Sequence, residues 1–259
     1  MDLCLEGKRA LVCASSRGLG FACAAALAGE GADVVLNGRE AAALGRAADR
    51  IVGSTGRRPL TVAADLETAT GRAALLSACA APDILVTNNR GPEPRPIDRL
   101  SGAHLEQALT MNLSAPFELM RAIAPGMAER RFGRIINITS IAVMMPIAGL
   151  EASSAARAAL SALAVGLARR FAAEGVTVNN LLPGYFATER LAEVFEAAAR
   201  RTGGSADDAR RRQAAGIPAG RFGDPPELGA LCAFLASPLA AYTTGQNFLV
   251  DGGLCDRIF

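Results

Sequence analysis

Short apolar segments alternate with longer helical patterns along the whole of this 259-residue chain. The short segments are apolar at consecutive positions, which is typical of strands buried on both faces of a parallel sheet. Parallel strands need helical crossovers, and the alternation supplies them. The predicted strands span residues 9–14, 33–37, 60–63, 84–87, 134–138, 177–182 and 247–250. The predicted helices span residues 20–30, 40–54, 68–80, 102–131 with a break near Pro125, 154–174 and 226–236.

These patterns predict an α/β fold: a single Rossmann-like domain over residues 1–259, with a doubly wound sheet of about seven parallel strands flanked by helices. A polar stretch at about residues 188–222 interrupts the alternation, and we expect a substrate lid there. Its arginines at positions 200–201 and 210–212 lie either on a solvated helix face or on a mobile lid that contacts an anionic substrate.

The composition argues against several classes of function. With 27 Lys and Arg against 25 Asp and Glu, the formal charge is +2, which is too small to favour nucleic acid or an anionic membrane as a partner.

The six cysteines are scattered and only one histidine is present, so we expect no metal site. Reduced thiols and the lack of a secretory signal favour a cytoplasmic protein. The uncharged stretch 228–250 is polar in its second half, which predicts helix, turn and strand rather than a membrane span.

The turn after the first predicted strand has the properties of a phosphate site. Its glycines let the backbone approach a pyrophosphate, which the N-terminus of the following helix can hold. The candidate cofactor-binding residues in this turn are Ala14, Ser15, Ser16, Arg17, Gly18, Leu19 and Gly20.

The end of the second predicted strand indicates which dinucleotide is bound. An acidic residue there would bind the ribose 2′-hydroxyl of NAD, but the strand ends Asn37-Gly38-Arg39. Arg39 and Arg17 can instead bracket a 2′-phosphate, and the alternative is two surface arginines without a ligand. The sequence therefore favours NADP(H) over NAD(H), with Asn37 and Arg39 at the adenosine end.

Further sequence motifs follow one another in a fixed order along the chain. Cys13 and Ala14 stand in place of the Thr and first Gly of a T-G-x-x-x-G-x-G turn. The other segments are Asp65-Leu66, residues 83–91 with Asn88, Met111-Asn112-Leu113, Thr139-Ser140, Pro183-Gly184, Thr188, Gly245-Gln246 and residues 250–253. In this order they make the chain resemble the short-chain dehydrogenase/reductase family over nearly its whole length, as a divergent relative of 3-oxoacyl-(acyl carrier protein) reductases.

The resemblance implies roles for these positions. Asp65 and Leu66 would contact the adenine, Asn88 would lie at the cofactor, and the last cofactor segment would line the nicotinamide and the phosphates. Its residues are Pro183, Gly184 and Thr188. Asn112 and Ser140 match members of the family's catalytic set. The resemblance also implies a small-molecule substrate and a homotetramer, with a homodimer as the alternative.

The sequence departs from the family pattern at the expected reaction centre. The family uses Tyr-x-x-x-Lys beginning 13 residues after the catalytic Ser, and counting from Ser140 arrives at Ser153 and Arg157. No Tyr-x-x-x-Lys pair occurs anywhere, since Lys8 is the only lysine. Arg157 can keep the fixed positive charge, but a serine hydroxyl is a much weaker acid than a phenol. The catalytic candidates are Ser140, Asn112, Ser153, Arg157 and Tyr185.

A substitute proton donor has several candidates. Tyr185 is either that acid or an aromatic ring that packs against a ligand. Glu151 is another possible donor, against the expectation that its carboxylate faces solvent. His104 we interpret as a structural or interface residue.

Three functions therefore remain open. The first is an NADP(H)-dependent oxidoreductase that acts on a carbonyl/alcohol pair with an atypical proton relay. The second is a catalytically silent nucleotide-binding protein, and the third is a non-redox enzyme of elimination, isomerisation or cyclisation on the same fold. The apolar helix at residues 154–174 forms either a subunit interface or part of the monomer core.

Overall fold

A computed structural model describes residues 1–257, with the side chains of Arg201 and Thr202 outside that description. Within this range seven strands form one parallel sheet in the order β3-β2-β1-β4-β5-β6-β7. The strands are β1 (Arg9–Val12), β2 (Asp33–Gly38), β3 (Leu60–Ala63), β4 (Ile84–Thr87), β5 (Gly133–Ile138), β6 (Val176–Pro183) and β7 (Asn247–Val250). This order confirms the predicted doubly wound sheet of seven parallel strands.

Helices connect the strands and cover both faces of the sheet. They are α1 (Gly18–Gly29), α2 (Ala41–Thr55), α3 (Ala69–Ala78), α4 (Gly102–Leu109), α5 (Ala115–Glu129), α6 (Glu151–Phe171), α7 (Glu189–Thr202), α8 (Ala206–Ala215) and α9 (Pro225–Ala236). The stretch 228–250 forms the rest of α9, a turn and β7, as predicted. None of the helices in residues 1–257 is long and apolar enough to cross a membrane.

The predicted break near Pro125 is wrong. Helix α5 continues through Pro125, and the interruption lies earlier, in a single π-helical turn over Thr110–Ser114. A π turn widens the helix by one residue and is a recurrent feature of functional sites. Since this turn contains neither Gly nor Pro, the sequence carries no breaker signal at that point.

The core consists of two apolar layers, one on each face of the sheet. Along β1 the side chain of Val12 lies in one layer and that of Leu11 in the other, as the two-residue repeat of a strand requires. The first layer includes residues of α1, α2 and α9, and the second includes residues of α3, α5 and α6. Each buried leucine contributes roughly 1.5–3 kcal/mol to the free energy of unfolding. Double coverage explains why the central strands β4, β5 and β6 are buried along their whole length, whereas the edge strands β3 and β7 are partly exposed.

The strand order places the predicted site at one edge of the sheet. The chain order reverses between β1 and β4, and a parallel sheet binds ligands in the crevice beyond the carboxyl ends of its strands at such a point. The glycine turn follows β1, Asn88 follows β4, Ser140 follows β5 and Gly184 follows β6. The polar stretch 188–222 contributes α7 and α8 beside this edge, and its function as a lid stays a prediction.

Candidate active site

The glycine turn has the backbone geometry of a phosphate cradle. Ala14 has a φ angle of 45°, the left-handed conformation that favours glycine. A Cβ on Gly20 would lie 2.4 Å from the Ala14 carbonyl oxygen and 2.8 Å from Nδ2 of Asn88, so only glycine fits there. Asn88 Nδ2 donates to that same carbonyl at 3.3 Å. Helix α1 then begins without a side-chain cap and without an acidic residue in its first turn. Its first N–H groups therefore remain available to an anion.

Asn37 and Ser15 hold this turn in place. Asn37 is buried; its Oδ1 accepts from the Ala14 N–H at 3.3 Å and its Nδ2 donates to the Ala64 carbonyl at 3.1 Å. The buried hydroxyl of Ser15 donates to the Val12 carbonyl at 2.8 Å and accepts from the Asn37 N–H at 3.1 Å. These two side chains thus position the turn, and their direct contact with a cofactor stays a prediction.

The residues predicted to lie at the adenosine end differ in their exposure to solvent. Asp65 is half-buried and its Oδ1 accepts from the Glu67 N–H, whereas the side chain of Leu66 lies in the core. Arg39 and Arg17 are both exposed. The guanidinium of Arg17 pairs with two carboxylates of α7, those of Glu189 at 3.4 Å and Glu193 at 3.3 Å. Arg17 therefore links the glycine turn to α7 in this structure.

Ser153 and Arg157 occupy consecutive turns of α6 and are both buried. Arg157 Nη1 donates to the Ile138 carbonyl at 2.8 Å and to the Thr139 carbonyl at 3.1 Å, which fixes the guanidinium at the end of β5. Its Nε donates to Ser153 Oγ at 3.3 Å. Burial, and secondarily the charge of Arg190, lower the pKa of Arg157 to about 10, so that the guanidinium is still charged at neutral pH.

Ser140 and Asn112 keep hydrogen-bonding capacity free. Ser140 Oγ accepts from the Ala142 N–H at 3.1 Å, which leaves its own proton to donate. Asn112 is 2% exposed, and neither its Nδ2 nor its Oδ1 has a partner within residues 1–257. A buried amide without partners costs free energy unless a ligand or water supplies them. The π turn thus contains a buried amide whose hydrogen bonds are unsatisfied within the described residues.

Asn89 is a site residue that the sequence motifs did not reveal. Its Nδ2 donates to the Met111 carbonyl at 3.0 Å, and its own carbonyl accepts from Arg157 Nη2 at 3.4 Å. Asn89 thereby ties the end of β4 to both the π turn and α6. The only sequence signal for Asn89 is the doubled asparagine after the buried strand β4, of which the family motif matches Asn88.

The other proton-donor candidates have distinct environments. Tyr185 is half-buried, and burial raises the pKa of its phenol, the opposite direction from that expected of an acid prepared to donate. Glu151 is half-buried rather than solvent-facing: one oxygen accepts from the Gly149 N–H at 3.2 Å and the other is shielded. His104 is structural, as predicted, because its Nδ1 accepts from the Ser101 N–H at the start of α4.

Among the last cofactor candidates, Thr188 caps α7 by accepting from the Leu191 N–H at 3.3 Å. Pro183 is buried, and Gly184 donates to the Val250 carbonyl at 2.9 Å. A Cβ on Gly184 would collide with Asp251. The closing strand therefore fixes this segment. No group of three metal-ligating side chains occurs in the part of the chain that the structure describes.

Comparison with known proteins gives the family. Residues 13–255 match the model of a family described as enoyl-(acyl carrier protein) reductase. A 3-oxoacyl-(acyl-carrier-protein) reductase from Vibrio harveyi is 34% identical over 252 residues, which cover 96% of this chain and 98% of that protein. The chain belongs to the short-chain dehydrogenase/reductase family. This confirms the family inferred from the motifs.

Other members of the short-chain dehydrogenase/reductase family agree in sequence and structure. Gluconate 5-dehydrogenase of Gluconobacter oxydans is 34% identical over 262 residues, covering 96% of this chain and 95% of that protein. The crystal structure of L-sorbose reductase from Gluconobacter frateurii with NADPH and L-sorbose has a TM-score of 0.94 and 30% identity, with both chains fully covered. YwfH, an NADPH-dependent reductase of bacilysin biosynthesis, has a TM-score of 0.91 and 29% identity, covering 98% of this chain and 100% of that one. These relatives are oxidoreductases. The two with solved structures are described with NADPH or as NADPH-dependent, which supports the predicted preference for NADP(H).

Proposed function

We propose that this protein is an NADP(H)-dependent oxidoreductase that interconverts a carbonyl and an alcohol, with Ser153 and Arg157 in place of a tyrosine and a lysine. The observation that carries the proposal is the buried pair itself. Arg157 is fixed by two backbone carbonyls and points Nε at Ser153 Oγ. Ser153 therefore accepts from Arg157 and retains its own proton for a substrate oxygen.

The cleft fits a nicotinamide dinucleotide. The uncapped start of α1 and the turn from Ala14 to Gly20 would hold the pyrophosphate, and Arg39 with Arg17 would hold the 2′-phosphate. Pro183, Gly184 and Thr188 would line the nicotinamide end. When bound, the nicotinamide supplies or accepts the hydride.

The residues of this chain would act on the substrate oxygen. Negative charge that develops on the carbonyl oxygen during reduction would be stabilised by hydrogen bonds from the hydroxyls of Ser140 and Ser153. The positive charge of Arg157 behind Ser153 stabilises the same charge. The proton would then come from solvent water. This arrangement replaces a positioned acid, which typically contributes about 10²–10⁴ in rate, by electrostatic stabilisation.

A titration with NADPH and NADH tests the cofactor assignment. We expect NADPH to bind more tightly, and Arg39→Gln to weaken NADPH by about tenfold while leaving NADH unchanged, because a charge-assisted bond to the 2′-phosphate is lost. Arg121→Gln, which removes an exposed arginine on α5, is the control. Equal effects on both nucleotides would contradict the role of Arg39.

Consumption of NADPH tests the reaction. The panel contains ketones, ketoses and 3-oxoacyl thioesters in one direction and the matching alcohols with NADP⁺ in the other. Hydride transfer with at least one pair is the expected result. Tight NADPH binding without any turnover would instead favour the silent nucleotide-binding protein or a non-redox enzyme.

A further inference from the structure

Three arginines whose charges act on one another lie at and beside the expected reaction centre, and within the described residues none of them forms an ion pair with a carboxylate. They are Arg90 after β4, Arg157 on α6 and Arg190 on α7. Across residues 1–257, apart from the side chains at 201 and 202, none of the three forms an ion pair with Asp or Glu, whereas ten other arginines do. An uncompensated cluster of this kind is suited to an anion.

Gly91 lies where these groups meet. Arg190 Nη2 donates to the Gly91 carbonyl at 3.3 Å. A Cβ on Gly91 would lie 3.4 Å from Arg190 Nη2 and 3.7 Å from Ser153 Oγ. The guanidinium of Arg190 and the hydroxyl of Ser153 therefore border the same small space, which the missing side chain of Gly91 leaves open.

The charges in this space act on one another. Burial lowers the pKa of Arg190, and the neighbouring charge of Arg90 lowers it further, against the opposing effect of Glu193. Arg190 in turn lowers the pKa of Arg157. Holding like charges together costs free energy, and a bound anion would offset that cost. The nearest acidic side chains of α7, Glu189 and Glu193, form their ion pairs with Arg17 instead.

We propose that Arg190, assisted by Arg90, binds an anionic oxygen group beside Ser153. The proposal rests on the proposed function, since it assigns a ligand to the same cleft. Two sources carry this chemistry: a carboxylate on the substrate, which would make it an oxo or hydroxy acid, and the diphosphate of the cofactor. Arginine suits both because its planar fork binds two oxygens at once.

The test uses a matched pair of probes and matched variants. Acetoacetate and methyl acetoacetate share a ketone and differ in one negative charge, and their binding is measured by calorimetry on the free and the NADP⁺-loaded protein. Arg190→Gln removes the charge while retaining a shorter amide donor on α7. Arg190→Lys restores the charge. Arg200→Gln removes a charge ten residues further along the same helix, where Arg200 pairs with Glu196.

If the anion is a substrate carboxylate, acetoacetate should bind at least tenfold more tightly than its ester. Arg190→Gln should abolish this difference, and Arg190→Lys should restore part of it. For the cofactor diphosphate, Arg190→Gln instead weakens NADPH and NADH by the same factor of about ten, while acid and ester bind alike. Unchanged probe and nucleotide affinities in Arg190→Gln would overturn the proposal. Failure of the wild-type protein to bind either nucleotide would contradict the proposed function, while the probes on the free protein still test the anion site.

Discussion

Ser153 differs from a tyrosine in reach and acidity, and its partner determines what it can still do. Because Arg157 Nε donates to Ser153 Oγ, the hydroxyl keeps its own proton to donate. We expect Ser153→Ala to lower kcat by about 10²-fold, the range found when an oxyanion donor is removed, with the Kd of NADPH unchanged. The measurement is steady-state turnover on the substrate that the panel identifies. Ser77→Ala, at an exposed serine of α3, is the control, and equal rates in both variants would contradict the role of Ser153.

Ala14 holds a left-handed backbone that its Cβ disfavours. Replacing it by glycine removes about 1–2 kcal/mol of strain and costs roughly 0.4–1 kcal/mol in unfolded-state entropy. Ala14→Gly should therefore raise the free energy of unfolding by about 0.5–1 kcal/mol, and Tm by about 1–3 °C. Ala73→Gly, at an exposed site within α3, should lower it by about 0.5–1 kcal/mol. Thermal unfolding of the two variants measures whether each change in stability has the expected direction. A lower Tm for Ala14→Gly would contradict the proposal that the backbone of Ala14 is strained.

Counting 13 residues from Ser140, the spacing that the family resemblance implies, arrived at Ser153 and Arg157, which the structure brings into contact on α6. It was not sufficient for Asn89 or Arg190. Their contacts depend on how the loop after β4 meets the π turn and α7, and loop conformation leaves no periodic signal. The same limit applied to Glu151, whose side chain turns back to the Gly149 N–H.

At the scale of elements, α7 is tied to the glycine turn by an exposed double ion pair. Arg17 contacts Glu189 and Glu193, the side chains of all three being largely exposed. Such pairs contribute little to stability, about 0–1 kcal/mol. They do compete with a 2′-phosphate for the guanidinium of Arg17, if Arg17 binds it as the sequence predicts.

Removing both carboxylates tests this competition. The Glu189→Gln and Glu193→Gln double variant should bind NADPH several-fold more tightly at low salt, because Arg17 is released and repulsion from the phosphate falls. NADH affinity and Tm should change little. Fluorescence titration with both nucleotides at two salt concentrations is the measurement. An equal gain for NADH would show that the effect does not act through the 2′-phosphate.

The elements themselves were largely predictable. Every strand was located to within two residues at each end, since apolar runs between turn signals define buried parallel strands. Two segments were exceptions. The apolar pattern of 102–131 continues through the π turn, and Pro125 gave a misleading signal. The polar stretch 188–222 contains α7 and α8, for which no helix bounds were predicted. Whether a helix continues through a proline, and whether it widens by one residue in a π turn, depends on tertiary packing, which a single sequence does not show.

At the scale of the whole molecule, the predicted oligomer has a candidate surface. Leu163 and Val165 on α6 are 40% and 41% exposed, and Leu105 on α4 is 41% exposed. Helix α6 thus contributes to the monomer core and also leaves apolar residues at the surface, so the homotetramer or homodimer stays a prediction. Leu163→Glu with Val165→Glu should lower the molar mass measured by light scattering, with NADPH binding retained in the dissociated protein. An unchanged mass would place the interface elsewhere.

The central claim is that Ser153 and Arg157 support hydride transfer without a phenol and an ammonium. The most direct measurement compares NADPH consumption by the wild-type protein with that of the Ser153→Tyr and Arg157→Lys double variant, on the same carbonyl panel and after NADPH binding has been verified for both. The account predicts turnover by the wild-type protein. Turnover by the double variant alone would contradict it.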